Sequence, residues 1–332
     1  MKKIFTCLLV FFLLTHLVSA QKVKYSFSEG YENVLTASKY KVLVDKAVEQ
    51  ISERYKIKSV KDGVIRLKDG QGMTEFNLHN LLLICKDEES DQIVLLVEDH
   101  FKKLFDTIDA QSKLNPEDFA SMQDRLSIRV YNEGIIKSMG NKEMLITKED
   151  MEGTVSLLMF DLPSGFTPVP KKLLELWNQK EDTLFGLAQQ NVNKQEVIRD
   201  SKKLQAQGDS MEVHIIENDD YCASYVLDLT NNAPELVGEW GSVITIPNKG
   251  VAVICTISEE TPVEFVNFIK ILRPIVAKFY NEHPQPVSKE FYWYYNQTFT
   301  KITTFEDENG QVNVIAPIGL SQLMIADQSS DK

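Results

Sequence analysis

The chain has 332 residues, of which 43% are hydrophobic and 9% aromatic, and it sets 36 basic against 48 acidic side chains for a net charge of −12. That composition supplies a core and excludes wholesale disorder, and the length suits one large domain or two smaller ones. The acidic balance repels phosphate backbones and anionic lipid, so nucleic acid and membrane surfaces are not expected partners.

Met1-Lys2-Lys3, an apolar run from Ile4 to Val18, and the small residues Ser19-Ala20 follow the basic, apolar, small-residue order of a secretory signal. The apolar run falls short of the roughly 20 residues that span a bilayer. The expectation is cleavage after Ala20, export to the periplasm or exterior, and no membrane insertion afterwards. Three cysteines would remain, Cys85, Cys222 and Cys255. An odd count at wide spacing is no disulfide framework. A Cys222–Cys255 bridge is open to an exported chain, but buried free thiols fit the apolar runs around Cys85 and Cys255 better.

From Ser38 to Tyr55, apolar residues recur at helical spacing through Tyr40, Leu43, Val44, Ala47 and Ile51. Three extended pieces follow, Ile57–Val60, Val64–Leu67 and Met73–Phe76, separated by Asp-Gly-type turns. Helices are expected over Leu78–Cys85 and Asp91–Ile108, and Asn115-Pro116-Glu117-Asp118 reads as a further helix start. Strands at Leu126–Tyr131 and Val155–Phe160 precede one or two helices ending near Val192. Met211–Ile216 is a strand, Tyr221–Leu236 is mostly helical, and Val243–Ile246 with Val251–Ile257 makes a hairpin. Thr261-Pro262-Val263-Glu264 combines an N-cap, a proline and a capping acid, opening a helix that Pro274 should kink near Arg273. Strands at Phe291–Tyr295, Phe299–Phe305 and Val312–Ile315 follow, the last two joined across Asn309-Gly310. The expected fold is α+β, mainly antiparallel sheets with packed amphipathic helices in repeated helix–hairpin units around 38–76, 171–216, 221–257 and 261–305. The expected division is an N-terminal helix/meander/helix module over 21–112, a C-terminal α+β module over 113–325, and a flexible tail from Ala326 to Lys332.

Several segments resemble the YtpQ-like bacterial family, a domain of unknown function. They are Met73-Thr74-Glu75-Phe76-Asn77-Leu78, Ala188-Gln189-Gln190-Asn191-Val192, Asp219-Asp220-Tyr221-Cys222-Ala223-Ser224-Tyr225-Val226-Leu227, the hairpin Ile244-Thr245-Ile246-Pro247 with Val251-Ala252-Val253-Ile254, and Pro286-Val287-Ser288-Lys289-Glu290-Phe291. The similarity runs from about Val34 to about Leu323. It implies a fold and no activity. This chain departs from the family pattern in carrying Asn248-Lys249-Gly250 where an acid commonly follows the proline, and in its leader.

No phosphate loop, dinucleotide fingerprint or nucleophile elbow is present, and His79, His100, His214 and His283 lack paired metal-ligand spacing. No cofactor and no metal is expected. Cys222 beside His214 is a conceivable thiol nucleophile, which an apolar helix face explains better. Asp219 and Asp220, with Tyr221, are the best acid–base candidates, although a helix start accounts for paired acids equally well. In Phe291-Tyr292-Trp293-Tyr294-Tyr295, strand alternation puts Tyr292 and Tyr294 on one face. Core packing on both faces is the plainer reading. An exposed tyrosine ladder that stacks peptide or glycan is the sharper one. The sequence therefore favours a non-catalytic binding or interaction protein of the cell envelope with a protein, peptide or glycan partner. A hydrolase built on Asp219 and Asp220 is the alternative, and self-assembly through a strand edge near Phe291–Tyr295 the third reading.

Overall fold

The computed structural model describes residues 22–69, 73–138, 142–206 and 209–330. The leader and its cleavage point after Ala20 lie outside the described residues. The chain divides into two compact units, with the division at Glu98–Asp99 inside a helix rather than in the polar stretch near residue 113.

The first unit contains β1 (Lys22–Val23), α1 (Ala37–Ser52), β2 (Ile57–Lys61), β3 (Val64–Leu67), β4 (Glu75–Asn77), α2 (His79–Ile84) and the start of α3 (Ser90–Ser112). Thr36 caps α1 by accepting the Lys39 amide, and Tyr40, Leu43, Val44, Ala47 and Ile51 are fully buried along one stripe. Asp62 and Gly63, at φ 52° and 70°, make the tight turn that pairs β2 with β3. β4 completes the antiparallel meander, and β1 adds to β2 in parallel. The expected helix and meander are therefore present.

In the second unit come α4 (Phe119–Met122), β5 (Leu126–Asn132), α5 (Glu133–Ser138), β6 (Thr147–Lys148), β7 (Thr154–Leu162), β8 (Gly165–Pro168), α6 (Leu173–Trp177) and α7 (Glu181–Val192). β7 pairs with β5, β6 and β8, all antiparallel. A six-stranded antiparallel sheet is built from β9 (Ile198–Ala206), β10 (Asp209–Glu217), β11 (Ser242–Asn248), β12 (Val251–Thr256), β13 (Phe291–Tyr295) and β14 (Thr298–Lys301), in the order β14-β13-β11-β12-β10-β9. Between its strands lie the short α8 (Cys222–Tyr225) and α9 (Leu229–Asn232) and the long α10 (Glu264–Glu282); β15 (Thr303–Glu306), β16 (Val312–Ile315) and α11 (Ile318–Ser330) close the chain. The fold is α+β, and each expected helix–hairpin unit has its counterpart in α1/β2–β4, α7/β9–β10, α8–α9/β11–β12 and α10/β13–β14. Among the described residues no helix is long and apolar enough to cross a membrane.

The centre of the large sheet, β11 and β13 above all, is buried on both faces. One face meets a core that includes Ile244, Ile254, Tyr225, Phe160 and Trp177; the other meets Phe265, Phe268, Ile269 and Leu272 of α10. Each such side chain contributes about 1.5–3 kcal/mol on burial. This settles the aromatic strand. Phe291 and Trp293 enter the α10 core, while Tyr292 and Tyr294, both 0% exposed, enter the other. The exposed tyrosine ladder is thus corrected to core. β13 also lies between β11 and β14, so it offers no edge for self-assembly. Gly241, at φ 81°, turns the chain beside this strand, where a Cβ would fall 2.3 Å from the Tyr294 carbonyl oxygen.

Three local expectations are also displaced, and one strand is present that the sequence pattern does not announce. α4 begins at Phe119 and not at Asn115, because Asn115 closes a turn onto Asp118 and the Pro116 carbonyl accepts the Trp177 indole. α10 begins at Glu264, since the Thr261 hydroxyl bonds Ser258 and caps nothing, and the helix continues on both sides of Pro274. β9 has no apolar alternation and exists through nine paired positions with β10. α11 carries helix through Ala326 as far as Ser330, where a loose tail is the sequence expectation.

Candidate functional site

The segment Asn218–Tyr221 enters α8 through an Asn, not an Asp. Asn218 Oδ1 accepts the amides of Asp220 and Tyr221, both at 2.8 Å, so neither Asp219 nor Asp220 caps the helix. The Asn218 amide bonds the Gly250 carbonyl and the Ala223 amide the Lys249 carbonyl, which docks this turn on the β11–β12 loop. The Asp220 carboxylate is thereby free for other partners, and two cations claim it.

Arg129, on β5 and 5% exposed, donates through Nη1 to the Asp220 carbonyl at 2.7 Å and to Asp220 Oδ1 at 3.0 Å. Its Nη2 donates to Gln285 Oε1 at 2.7 Å, and the guanidinium lies 4.4 Å from the Phe166 ring centre. Lys249 Nζ donates to Asp220 Oδ1 at 2.7 Å. Burial alone would raise the Asp220 carboxyl, but the hydrogen bond and charge of Lys249, followed by those of Arg129, hold it below the ordinary carboxylate range.

Beside it, Tyr221 Oη donates to Asp161 Oδ2 at 2.5 Å and its ring meets Phe166 edge-on at 5.6 Å. Asp161 is pushed up, chiefly by burial, although the Tyr221 hydrogen bond pulls the other way. The Tyr221 phenol is raised as well, by burial and then by Asp161. Two carboxylates are therefore driven in opposite directions within one cluster. His283 accepts the Gln285 amide at Nδ1, and burial holds its pKa below the ordinary imidazole value.

Strand pairing places Ser127 on the same face of β5 as Arg129, opposite Met159 and diagonal to Asp161. Ser127 Oγ is the one buried side-chain nitrogen or oxygen among the described residues without a hydrogen-bond partner.

The sequence candidates thus part company. Asp220 and Tyr221 belong to the cluster, Asp219 is exposed at its rim, and Tyr292 and Tyr294 are core residues elsewhere. Arg129, Asp161, Lys249 and Gln285 escape sequence reading because they are scattered along the chain. An arginine inside the apolar run Leu126–Val130 is the signal that could have found the first. The Cys222–His214 pairing is not formed: Cys222 Sγ bonds the Ile216 carbonyl, while His214 Nδ1 meets Ser201 Oγ at 2.8 Å. Cys85, Cys222 and Cys255 are buried and free, with Cys85 and Cys255 pushed by burial to about 12.

The first unit holds a second histidine–serine contact. Ser28 Oγ touches both His79 Nε2 and the Asp62 carbonyl, and His79 stacks on Tyr31 at 4.6 Å.

Elsewhere in the second unit, a hollow of about 300 Å³ is lined by Glu152, Glu290, Lys301, Thr303 and Thr304. Lys301 Nζ lies 3.3 Å from Glu152 and 3.7 Å from Glu290. The buried Tyr292 hydroxyl donates to the Glu152 carbonyl at 2.8 Å and so positions the loop on one side of it. Compared with family models, curated proteins and solved structures, the chain finds no match.

Proposed function

We propose that this chain is an exported, non-catalytic binding protein of the cell envelope, freed by cleavage after Ala20 and working in the periplasm or outside the cell on a protein, peptide or glycan partner. The observation that carries the non-catalytic reading is the double clamp on Asp220. A carboxylate held by Arg129 and Lys249 is a poor base, and the Tyr221 proton is committed to Asp161. Such a cluster fixes the geometry of the Asn218–Tyr221 turn and presents the exposed Asp219 beside it. The resemblance to the YtpQ-like family belongs to the same proposal and lends it no chemistry.

Two measurements test it. Mass spectrometry of the protein from its native envelope should give a chain starting at Gln21; a cytosolic pool retaining Met1 overturns export. A photo-crosslinking residue at position 219 should capture a partner that the same residue at exposed position 270 does not, and equal capture at both sites overturns a site at this turn.

One observation favours a second reading, a hydrolase. Carboxylates whose environments separate their pKa values can divide acid and base roles, as Asp161 (raised) and Asp220 (lowered) would. Turnover of ester, glycoside or phosphate substrates by the mature protein, abolished in a folded Asp161→Asn variant, would replace the binding reading.

A further inference from the structure

We infer that the open edge of β14 takes up an extended peptide strand and draws a basic side chain of that peptide into the hollow between Glu152, Glu290 and Lys301. This rests on the binding-protein reading and names a ligand class for it.

The edge follows from strand phase. β14 ends the six-stranded order and pairs with β13 alone among the described strands. Asn296 and Gln297, at φ 47° and 60°, make the two-residue turn that joins them. The Ile302 amide bonds the Phe291 carbonyl at 2.8 Å. Bonded and non-bonded pairs alternate in an antiparallel ladder, so Thr298, Thr300 and Ile302 bond inward. Phe299 and Lys301 then direct their amides and carbonyls away from β13, ready for a further strand.

The same two residues share a sheet face with Tyr294 and Tyr292, their direct partners in register. On that face Lys301 reaches the hollow. Its contacts of 3.3 and 3.7 Å are longer than the roughly 2.7–2.9 Å of a close charge-assisted bond. One ammonium shared by two carboxylates leaves a negative charge, on a chain that is already acidic. A residue paired opposite Lys301 would hold its Cβ about 4.5–5.5 Å from that of Lys301 and on the same face, beside the hollow. Main-chain bonds would supply affinity and the hollow selectivity.

The rival explanation is that a short edge strand bearing a lysine is a device against unwanted pairing. Here the Lys301 ammonium is turned onto the two glutamates, which leaves the backbone edge unguarded.

Fluorescence anisotropy of the mature chain with labelled acetyl-Thr-Val-Lys-Val-Thr-amide separates the two. We expect binding at least about fivefold tighter than for the same peptide with Glu at its centre, falling to within about twofold in Glu152→Gln/Glu290→Gln and unchanged in Glu212→Gln. N-methylation of the central peptide amide should weaken binding. No binding of the lysine peptide, equal affinity for both centres, or a preference that survives the double substitution overturns the inference. Thermal unfolding of each variant shows that the fold is kept. A partner captured at position 219 together with failure here would remove this edge and leave the general binding reading standing.

Discussion

Arg129 holds Asp220 by two atoms at once, its carboxylate at 3.0 Å and its backbone carbonyl at 2.7 Å, so that a residue of β5 fixes the turn into α8 across 91 positions of sequence. The grip is charge-assisted at the carboxylate and geometric at the carbonyl. Lys249 adds a second cation from the β11–β12 loop.

Asp220→Asn should lower stability by about 2 kcal/mol at neutral pH, the scale of a hydrogen bond to a charged group, discounted for a half-exposed carboxylate. The Asp220 pKa is lower in the folded chain than in the unfolded one, so its contribution is present above the ordinary Asp value of about 3.9 and lost as pH falls through the folded value. Asp161 has the opposite sign. Its raised pKa gives a contribution present below about 3.9 and lost as pH rises through the folded value, so Asp161→Asn should be nearly neutral at pH 7. Urea unfolding of both variants across pH 3–7 checks this pair; an equal cost for the two at neutral pH refutes it.

Tyr292→Phe removes a hydroxyl that bonds Ser288 Oγ and the Glu152 carbonyl at 2.8 Å each, while keeping the ring in its core. The partners left behind, the buried Ser288 hydroxyl above all, should cost about 1–3 kcal/mol. The denaturation midpoint should fall with no change in oligomeric state by size exclusion. A variant as stable as wild type contradicts the bonding described here.

Ser127→Ala removes a buried hydroxyl that has no hydrogen-bond partner among the described residues and should leave stability unchanged or raise it by up to about 1 kcal/mol. A clear loss would mean that Oγ has a partner in solution, with an ordered water the first candidate.

The thiols of Cys85, Cys222 and Cys255 should resist a disulfide-exchange reagent at neutral pH and all react after unfolding, because burial raises each of them and excludes reagent. Rapid labelling of any one in the native protein would refute its burial. The mass of the native protein should show no bridge among these three cysteines.

Much of the secondary structure was legible in the sequence because it is local. The stripe Tyr40, Leu43, Val44, Ala47 and Ile51 declares a helix by spacing alone, and Asn309-Gly310 declares a hairpin through the positive φ that Gly310 adopts. Alternation along β13 likewise separated Tyr292 and Tyr294 from Phe291 and Trp293. It could not say that both faces are covered, because that depends on α10 and on the α7–α9 region packing from opposite sides.

The cluster around Asp220 belongs wholly to the other kind of information. Arg129, Asp161, Tyr221, Lys249 and Gln285 come from five separate stretches of chain that meet only in the folded unit, and no spacing rule links them. The edge at β14 is of the same kind, since it is set by β13 being its one pairing partner among the described strands. Sequence by itself determined the α+β class and most elements, because periodicity and turn chemistry act within a few residues. Tertiary structure alone decided which charges are paired, which tyrosines are buried and which backbone groups remain free, because burial and long-range pairing are properties of the whole packed chain.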